Sequence, residues 1–318
     1  MDTAKLLWTG GFDSTFMVLK YLRRGVNVKP YYIDWGGPHH MHEINAIHNH
    51  FNSISKLDLE GKLEPLSIYY FPHEAFNLDW YDPALVEARR YLFVDCLHTP
   101  KLGMANHRAY EHLRFASLPK SFDGISIGIP ADNNGNSGVR HLFDTIGHIK
   151  SDAFGVGYFL EEDCHPAIFK IYGRFKYPVA FDTEPEMLLK YEEWGYTEII
   201  RNTRFCKFHD KFYDGPCGTC FPCQIKFGYG MYEFFTLPAW KRANTLHELS
   251  KKYRHTDKTK VFPCFKKFCD GKFSGKNYTI SEIAELFDVP MDLCIEFEEI
   301  LNKSIPTKEE FSRLGKYC

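Results

Sequence analysis

The chain has 318 residues and a formal net charge of −2, and 44% of its residues are hydrophobic. This length and apolar content predict one large α/β domain, alone or with an appendage, and the near-neutral charge gives no sign of a global polyanion-binding surface. A run of about 18 apolar residues is absent, as is a charged-then-apolar leader. We therefore expect a cytoplasmic protein without membrane contact, whose ten cysteines are thiols and metal ligands rather than disulfides.

The first predicted element is a strand–loop–helix junction. Residues 6–8 form an apolar run that predicts a short buried strand, and Gly10 and Gly11 permit a tight turn after it. Residues 13–15, Asp-Ser-Thr, favour the start of a helix. Such a junction directs backbone N–H groups and the positive end of a helix dipole to one point, which suits a phosphate.

The loop in this junction differs from two common phosphate-binding loops. It has no lysine after the glycines, as a Walker loop requires, and it has no G-x-G-x-x-G pattern. Residues 9–14 instead follow (S/T)-G-G-x-D-S, which resembles the pyrophosphate loop of the ATP pyrophosphatase (PP-loop) superfamily; an ordinary glycine turn is the alternative. The resemblance implies Asp13 and Ser14 as catalytic residues. It implies an ATP site made of Thr9, Gly10, Gly11, Phe12, Asp13, Ser14, Thr15 and Asp34.

Residues 27–33 predict a second strand, in which Pro30 suits an edge position or a bulge. Two strands joined through one helix predict a parallel βαβ unit, and ligands of such sheets bind beyond the carboxyl ends of the strands. Asp34 and Trp35 lie at that end. They either frame a nucleotide or form the turn before the next helix.

A histidine-rich stretch follows the second strand. Such a density of imidazoles can bind metal. His42 and His50 are too far apart along a helix to share one ion, so we favour a solvated helix that partly faces a ligand. The stretch comprises His39, His40, His42, His48 and His50, with Glu43.

Further strands are predicted at residues 66–71, 124–129 and 177–181, and a helix at 184–194. Arg89, in a helix that opens at Pro83, could pair with phosphates or carboxylates or belong to a solvated face. The polar segment 130–138 follows a strand, a position that favours substrate contacts over a plain loop.

Four cysteines form the second strong signal. Three of them follow C-x-x-C-x-x-C spacing and the fourth lies shortly before, so all four can converge on one ion. We favour zinc, while an iron–sulfur cluster and unligated thiols remain the alternatives. The four are Cys206, Cys217, Cys220 and Cys223.

After residue 235 the composition changes. Lysine and arginine are frequent in residues 241–276, and residues 279–301 predict two helices joined by a short turn. A docking or dimer-stabilising appendage is favoured over a nucleic-acid contact. The predicted organisation is an ATP-binding domain over 1–200, a four-cysteine zinc module over 201–235 and a helical extension over 236–318.

The loop and the cysteines together resemble the 7-cyano-7-deazaguanine (preQ0) synthase family of the PP-loop superfamily. The resemblance implies an α/β fold of the adenine nucleotide alpha hydrolase-like (PP-loop) type, which has a parallel doubly wound sheet and here a zinc-binding C-terminal module. It also implies a homodimer. It implies zinc ligation by the four cysteines and substrate binding by Arg89 and Asp132. The family has a lysine where this chain has Glu184, for which Lys176 or Lys190 could compensate.

The resemblance also implies a reaction. With ATP and Mg²⁺, the carboxylate of 7-carboxy-7-deazaguanine becomes an acyl-adenylate, ammonia displaces AMP to give an amide, and a second activation gives the nitrile. The product feeds deazaguanine modification of tRNA or DNA, as in queuosine biosynthesis. The alternatives are a relative that adenylates another deazapurine or attaches one to a macromolecule, a nucleic-acid sulfur transferase, and a non-catalytic nucleotide-binding module.

Overall fold

The computed structural model describes residues 2–35, 40–71, 82–90, 113–131, 149–200, 203–206, 216–218, 220–252 and 279–304. The chain divides into two compact units, Met1–Arg204 and Phe205–Cys318. The first is a mixed α/β unit around a parallel sheet, and the second consists of helices and the four-cysteine cluster. No helix among these described residues is both long enough and apolar enough to cross a membrane.

The first unit has a parallel sheet of order β1-β2-β3 and a separate antiparallel hairpin, β4–β5. In the sheet, Leu7 pairs with Tyr31, and Tyr31 pairs with Ser67. The elements are β1 (Thr3–Leu7), α1 (Phe12–Leu22), β2 (Asn27–Asp34), α2 (His40–Ile54), β3 (Ser67–Tyr70), α3 (Pro83–Arg90), β4 (Ile149–Ser151), β5 (Tyr158–Leu160), α4 (Pro166–Tyr172), α5 (Glu184–Glu193) and α6 (Thr197–Ile200).

Single parallel bridges extend the sheet beyond β1. Ser126 bridges Leu6 on one side and Lys176 on the other. The stretch 124–129, predicted as a strand, therefore contributes one bridged residue rather than a full ladder. The predicted strand at 177–181 is wrong, because the bridged residues are Lys176 and Thr183, on either side of it. The pairing is interrupted where the Ile129 N–H bonds the carbonyl of Ile127 and where Pro178 has no N–H to donate. It resumes at the parallel bridge between Ala131 and Thr183.

Pro30 lies in the middle strand of the three, not at the sheet edge. The Val28 N–H bonds Lys62, whereas the regular β2–β3 pairing begins only at Tyr31. The pairing offset changes by one residue between the Val28–Leu63 bridge and the Tyr31–Ser67 pair. The proline, which cannot donate a hydrogen bond to the ladder, therefore lies where the β2–β3 pairing is interrupted. Of the two positions expected for Pro30, the bulge fits the structure and the sheet edge does not.

Helix α1 is the buried helix that fixes the loop before it. Most of its residues are buried, and it contacts β1, β2 and α5. Phe16, which is fully buried, stacks on Trp194 with ring centroids 5.1 Å apart. Tyr191 donates its hydroxyl to the carbonyl of Phe12 at 3.2 Å. The start of α1 is thus held by packing along its length and by α5.

A charged cluster ties α1 to the start of α5. Asp182 accepts from Lys20 at 2.7 Å and from Lys190 at 2.5 Å, and Lys20 also donates to the carbonyl of Pro178 at 2.6 Å. Burial alone would raise the pKa of Asp182, but the two lysines outweigh that effect and lower its pKa. The carboxylate is therefore ionised and paired at neutral pH.

We expect Asp182→Asn to lower the free energy of unfolding by about 2 kcal/mol at pH 7, because two ammonium groups lose their counter-charge. A lowered folded-state pKa means that this stabilisation is fully present above the unfolded pKa of about 3.9 and is lost as the pH falls through the folded value. Urea unfolding of both proteins as a function of pH measures it. Asp123→Asn, which breaks the more exposed Arg174 pair, is the control and should change stability by less than about 1 kcal/mol; equal losses in the two variants would contradict the assignment.

The second unit contains four helices among its described residues. Helix α8 contacts both α7 and α10. Helix α9 begins with a capping box in which Thr279 and Glu282 bond each other's backbone N–H, and it ends at Asp288, a left-handed residue with φ 49°. The predicted helical pair is confirmed. The helices are α7 (Phe221–Gly228), α8 (Leu237–Lys252), α9 (Ile280–Phe287) and α10 (Met291–Ser304).

Candidate functional site: a cleft beside the glycine loop and a four-cysteine centre

A cleft of about 300 Å³ opens in the first unit where β1 and β2 end. Its polar lining comes from Thr9 and Ser14 of the glycine loop, from Glu43 on α2 and from Arg114, while Trp35 supplies an aromatic wall. The carboxyl edge of parallel strands is where open α/β sheets bind ligands. The loop predicted to bind phosphate therefore faces a cleft at the expected edge.

Hydroxyl groups close the glycine loop on itself. The Ser14 hydroxyl lies 3.1 Å from that of Thr9, accepts from the Thr9 N–H at 3.3 Å and donates to the carbonyl of Gly11 at 3.2 Å. Gly11 is the N-cap of α1, and no side chain caps it. The first N–H groups of α1 thus lie beside two hydroxyls, which is the donor set that binds an anion at a helix start.

Gly10 occupies a position that no other residue fits. Its φ is +70°, and a Cβ built there would lie 2.8 Å from the Cβ of Ala46. Its carbonyl accepts a 3.2 Å hydrogen bond from Nε2 of His50, so this nitrogen must carry the proton. Burial lowers the pKa of His50 to about 4, so the ring is neutral at pH 7. Helix α2 therefore holds the loop through a buried, uncharged histidine.

The stretch after Ser126 approaches the loop closely. A Cβ at Gly128 would lie 3.3 Å from the N atom of Ser14, which is tighter than an ordinary van der Waals contact. A glycine here therefore lets the neighbouring backbone reach the start of α1, as glycines do where two backbones pass.

Two residues of the predicted ATP loop have structural contacts instead of facing the cleft. Phe12 is buried and lies 5.4 Å from the Tyr191 ring, and Thr15 is fully buried and accepts from the indole N–H of Trp8 at 3.0 Å. Asp13 lies in the first turn of α1, where a carboxylate interacts favourably with the helix dipole.

Of the two residues predicted after β2, Trp35 is the one that lines the cleft. Its ring packs against Phe71 and Phe115, with centroids 6.2 and 6.1 Å away, and the Arg114 guanidinium lies 5.4 Å from its centroid. Asp34 ends β2, and its carbonyl accepts from the N–H of Phe71 at 2.8 Å. Asp34 is not among the described residues that line the cleft.

Glu43 brings to the cleft a carboxyl group whose pKa is raised. Burial raises its pKa and so does the nearby Asp34, whereas the Tyr32 hydroxyl, which donates to it at 2.7 Å, acts in the opposite direction. The net effect is a raised pKa. Glu43 is therefore a weaker acid than a surface glutamate.

Several predicted residues lie elsewhere. Asp132 and the side chain of Arg89 lie outside the described residues. Lys190 is bound to Asp182, and Lys176 lies 5.2 Å from the Phe154 ring; neither is among the described residues that line the cleft. Glu184 opens α5 next to the Thr183–Glu186 capping box, where acidic residues are favoured by the helix dipole.

The four cysteines of the second unit meet at one point. Their sulfurs all lie within 4.8 Å of one another, with Cys217–Cys223 at 3.8 Å and Cys220–Cys223 at 3.4 Å, and all four residues are buried. Four thiolates about 2.3 Å from one ion have this spacing. A cluster of two or four irons divides the four thiolates among different irons, so at least some of the sulfurs lie farther apart than around a single ion. The group can hold a metal ion such as zinc, and among the described residues the α2 histidines form no comparable group.

Backbone N–H groups donate to the sulfurs. The Cys217 N–H donates to Sγ of Cys206, and the Cys220 N–H donates to Sγ of Cys217, each at 3.2 Å. Gly218, with φ +75°, makes the turn between them, and a Cβ there would lie 2.2 Å from the carbonyl oxygen of Ala239. The turn is therefore packed directly on α8 and presents its N–H groups to thiolates.

Helix α8 also supplies a buried cation behind the cysteines. Arg242, only 1% exposed, donates to the carbonyl of Cys217 at 2.7 Å and to that of Pro216 at 3.3 Å. Gln224 of α7 bonds the Gly218 carbonyl at 2.7 Å. A divalent ion with four thiolates carries a net negative charge, which the guanidinium offsets.

Comparison with known proteins places the chain in no family. No protein-family model matches the sequence, and no curated protein is significantly similar to it. A functional argument therefore rests on the geometry of the cleft and of the cysteine centre.

Sequence reasoning missed the residues that complete both sites. Nothing in the local pattern distinguished Arg114 as a cleft residue or Arg242 as a partner of the cysteine turn. Glu43 was named only as a member of the histidine-rich helix that was expected to face a ligand in part. A searchable signal existed only for Gly128, which lies in the glycine-containing strand pattern that precedes the polar segment.

Proposed function

We propose that the protein is an ATP-dependent ligase that converts 7-carboxy-7-deazaguanine and ammonia to 7-cyano-7-deazaguanine through adenylated intermediates. The observation that carries the proposal is the pair of hydroxyls, Thr9 and Ser14, joined at the start of α1 and lining the cleft. This arrangement supports the PP-loop interpretation of the (S/T)-G-G-x-D-S pattern, in which the loop binds the pyrophosphate portion of ATP.

Adenylation solves a chemical problem for this substrate. A carboxylate resists attack by ammonia because it has no good leaving group. When its oxygen attacks the α-phosphorus of ATP, pyrophosphate leaves and AMP becomes the group that ammonia then displaces, which gives the amide. When the amide oxygen attacks the α-phosphorus of a second ATP, a second pyrophosphate leaves. Loss of AMP, which carries away the amide oxygen, and of both N–H protons then gives the nitrile.

The loop would stabilise the charge that develops on the departing pyrophosphate. The N–H groups at the start of α1 are oriented by the helix, and the hydroxyls of Thr9 and Ser14 lie beside one another in the loop. The Ser14 hydroxyl, which donates to the Gly11 carbonyl, would turn to donate to the departing oxygens. Mg²⁺ bound with ATP would neutralise further charge. The aromatic wall formed by Trp35 and Phe115 suits a planar base.

The proposed role of the cysteine centre is structural. Four buried sulfurs leave no open coordination position for a substrate, which is the arrangement of structural rather than catalytic zinc. Bound zinc would stabilise the turn around Gly218 and, with it, the second unit.

A product assay tests the proposal. Pure protein is incubated with ATP, Mg²⁺, ammonium and 7-carboxy-7-deazaguanine, and the nucleotides and bases are identified by mass spectrometry. AMP together with the nitrile is the expected result. If AMP is released but the last product is an amide or an adenylate, the protein is not a nitrile synthase. It is then a relative that stops at an earlier step or transfers its base to an acceptor. Absence of AMP would contradict the proposed reaction and point to a different substrate or to a binding role.

A further inference from the structure

The cleft has one prominent source of positive charge. Among the described residues that line it, Arg114 is the only lysine or arginine. An anion in the cleft would therefore meet Arg114 as its cationic partner.

Aromatic packing restricts where the Arg114 guanidinium can lie. It is 5.4 Å from the centroid of Trp35, and Trp35 is itself packed against Phe71 and Phe115. A guanidinium held against an aromatic face loses less conformational freedom when it binds a ligand. Its planar set of N–H donors matches the oxygens of a phosphate or a carboxylate.

We propose that Arg114, held against Trp35, binds an oxyanion of the substrates in this cleft. The hydroxyls of Thr9 and Ser14 line the same cleft. So does the Glu43 carboxyl, which accepts from the Tyr32 hydroxyl, and Arg114 is the cation beside these groups. The anion is either a phosphoryl group of ATP or the carboxylate of the base. The choice of these two anions rests on the proposed function, whereas the requirement for an anion rests on the charge and geometry of the cleft.

Direct titration tests the inference without turnover. Isothermal titration calorimetry measures the affinity of wild type, Arg114→Gln and Arg23→Gln for inorganic pyrophosphate, for 7-carboxy-7-deazaguanine and for the corresponding neutral amide. Arg23 is the matched control, because its guanidinium also lies over a tryptophan, 4.8 Å from Trp194, but does not line the cleft. Thermal melting establishes that each variant is folded.

We expect Arg114→Gln to weaken binding of at least one anion about 10- to 100-fold, because a charge-assisted hydrogen bond is lost, and Arg23→Gln to leave both affinities unchanged. Weaker pyrophosphate binding would identify the phosphoryl group as the anion. Weaker binding of the carboxylate base, with the amide unaffected, would identify the carboxylate. Wild-type affinities in Arg114→Gln, or no anion binding by wild type, would overturn the inference.

Two further arms keep the outcomes distinct. If Arg114→Gln does not fold, Arg114→Lys decides the question, since it keeps the charge but loses the planar donors; it should bind the anion several-fold more weakly, and unchanged affinity would overturn the inference. The product assay on wild type is independent of these titrations. A protein that releases no AMP, yet loses pyrophosphate affinity on Arg114→Gln, would contradict the proposed function and support the anion site.

Discussion

Replacing Cys220 with serine is expected to remove the bound metal and to unfold the cysteine centre. Cys220 contributes a sulfur to the four-thiolate group, and its N–H donates to Sγ of Cys217. Serine is a poor zinc ligand, and binding energy of a structural zinc is folding energy, on the order of 10 kcal/mol in small zinc domains. Metal content should fall from about one ion per chain to near zero, and the melting temperature should fall with it. Metal analysis and calorimetry on the same preparation measure both.

Cys294→Ser is the matched control for this variant. Cys294 is also a buried cysteine of the second unit, but it is not part of the four-sulfur group. It should cost some stability through packing while leaving the metal ratio unchanged. If Cys220→Ser kept the full metal content, the ligand assignment would be wrong. Iron and visible absorbance in the wild-type protein would instead favour a cluster over zinc.

The other large effect is expected at Ser14. Ser14→Ala removes the hydroxyl that accepts from the Thr9 N–H and donates to the Gly11 carbonyl. It thereby removes a hydroxyl from the cleft in which we propose that pyrophosphate binds. Loss of one fixed donor to a developing oxyanion reduces turnover about 100- to 1000-fold in other enzymes. We expect a reduction of that order in AMP release, with a smaller change in the melting temperature, because the loop remains anchored by His50 and by the packing of α1.

Ser53→Ala is the control for the Ser14 experiment. The Ser53 hydroxyl also bonds a backbone carbonyl, that of Asn49, but on the exposed side of α2. AMP release by this variant should equal that of wild type. Undiminished AMP release by Ser14→Ala would remove the loop from the proposed mechanism. A loss of activity that parallels a loss of folded protein would mean that Ser14 acts on structure rather than on ATP.

The strand–loop–helix junction and the helix ends were predictable because their signals are local. Two glycines between an apolar run and helix-starting residues define a turn, and Gly10 indeed has a positive φ. The capping residues at Thr279 and Glu282 mark a helix start by short-range hydrogen bonds. The four cysteines could be grouped from spacing alone, since a turn between C-x-x-C pairs brings their sulfurs together.

Other features depended on pairing between distant segments. The predicted strand at 124–129 became one bridged residue, Ser126, which pairs with Leu6 and Lys176, because the tight turn between Ile127 and Ile129 interrupts the ladder. The β4–β5 hairpin was not predicted, as its strands have three residues each and carry too short an alternation to recognise. Pro30 could not be placed, because the interruption that accommodates it belongs to the partner segment.

By itself, then, the sequence determined the glycine loop at the end of β1, the group of four cysteines and the starts of the capped helices, since each depends on residues a few positions apart. Only the tertiary structure decided that Arg114 lies over Trp35 in the same cleft as Ser14, and that Arg242 bonds the turn at Cys217. The physical reason is that parallel strand pairing and helix packing bring these side chains together. These contacts join residues that are far apart in the sequence. The residues around each of them therefore show no hydrophobic periodicity that would predict the contact.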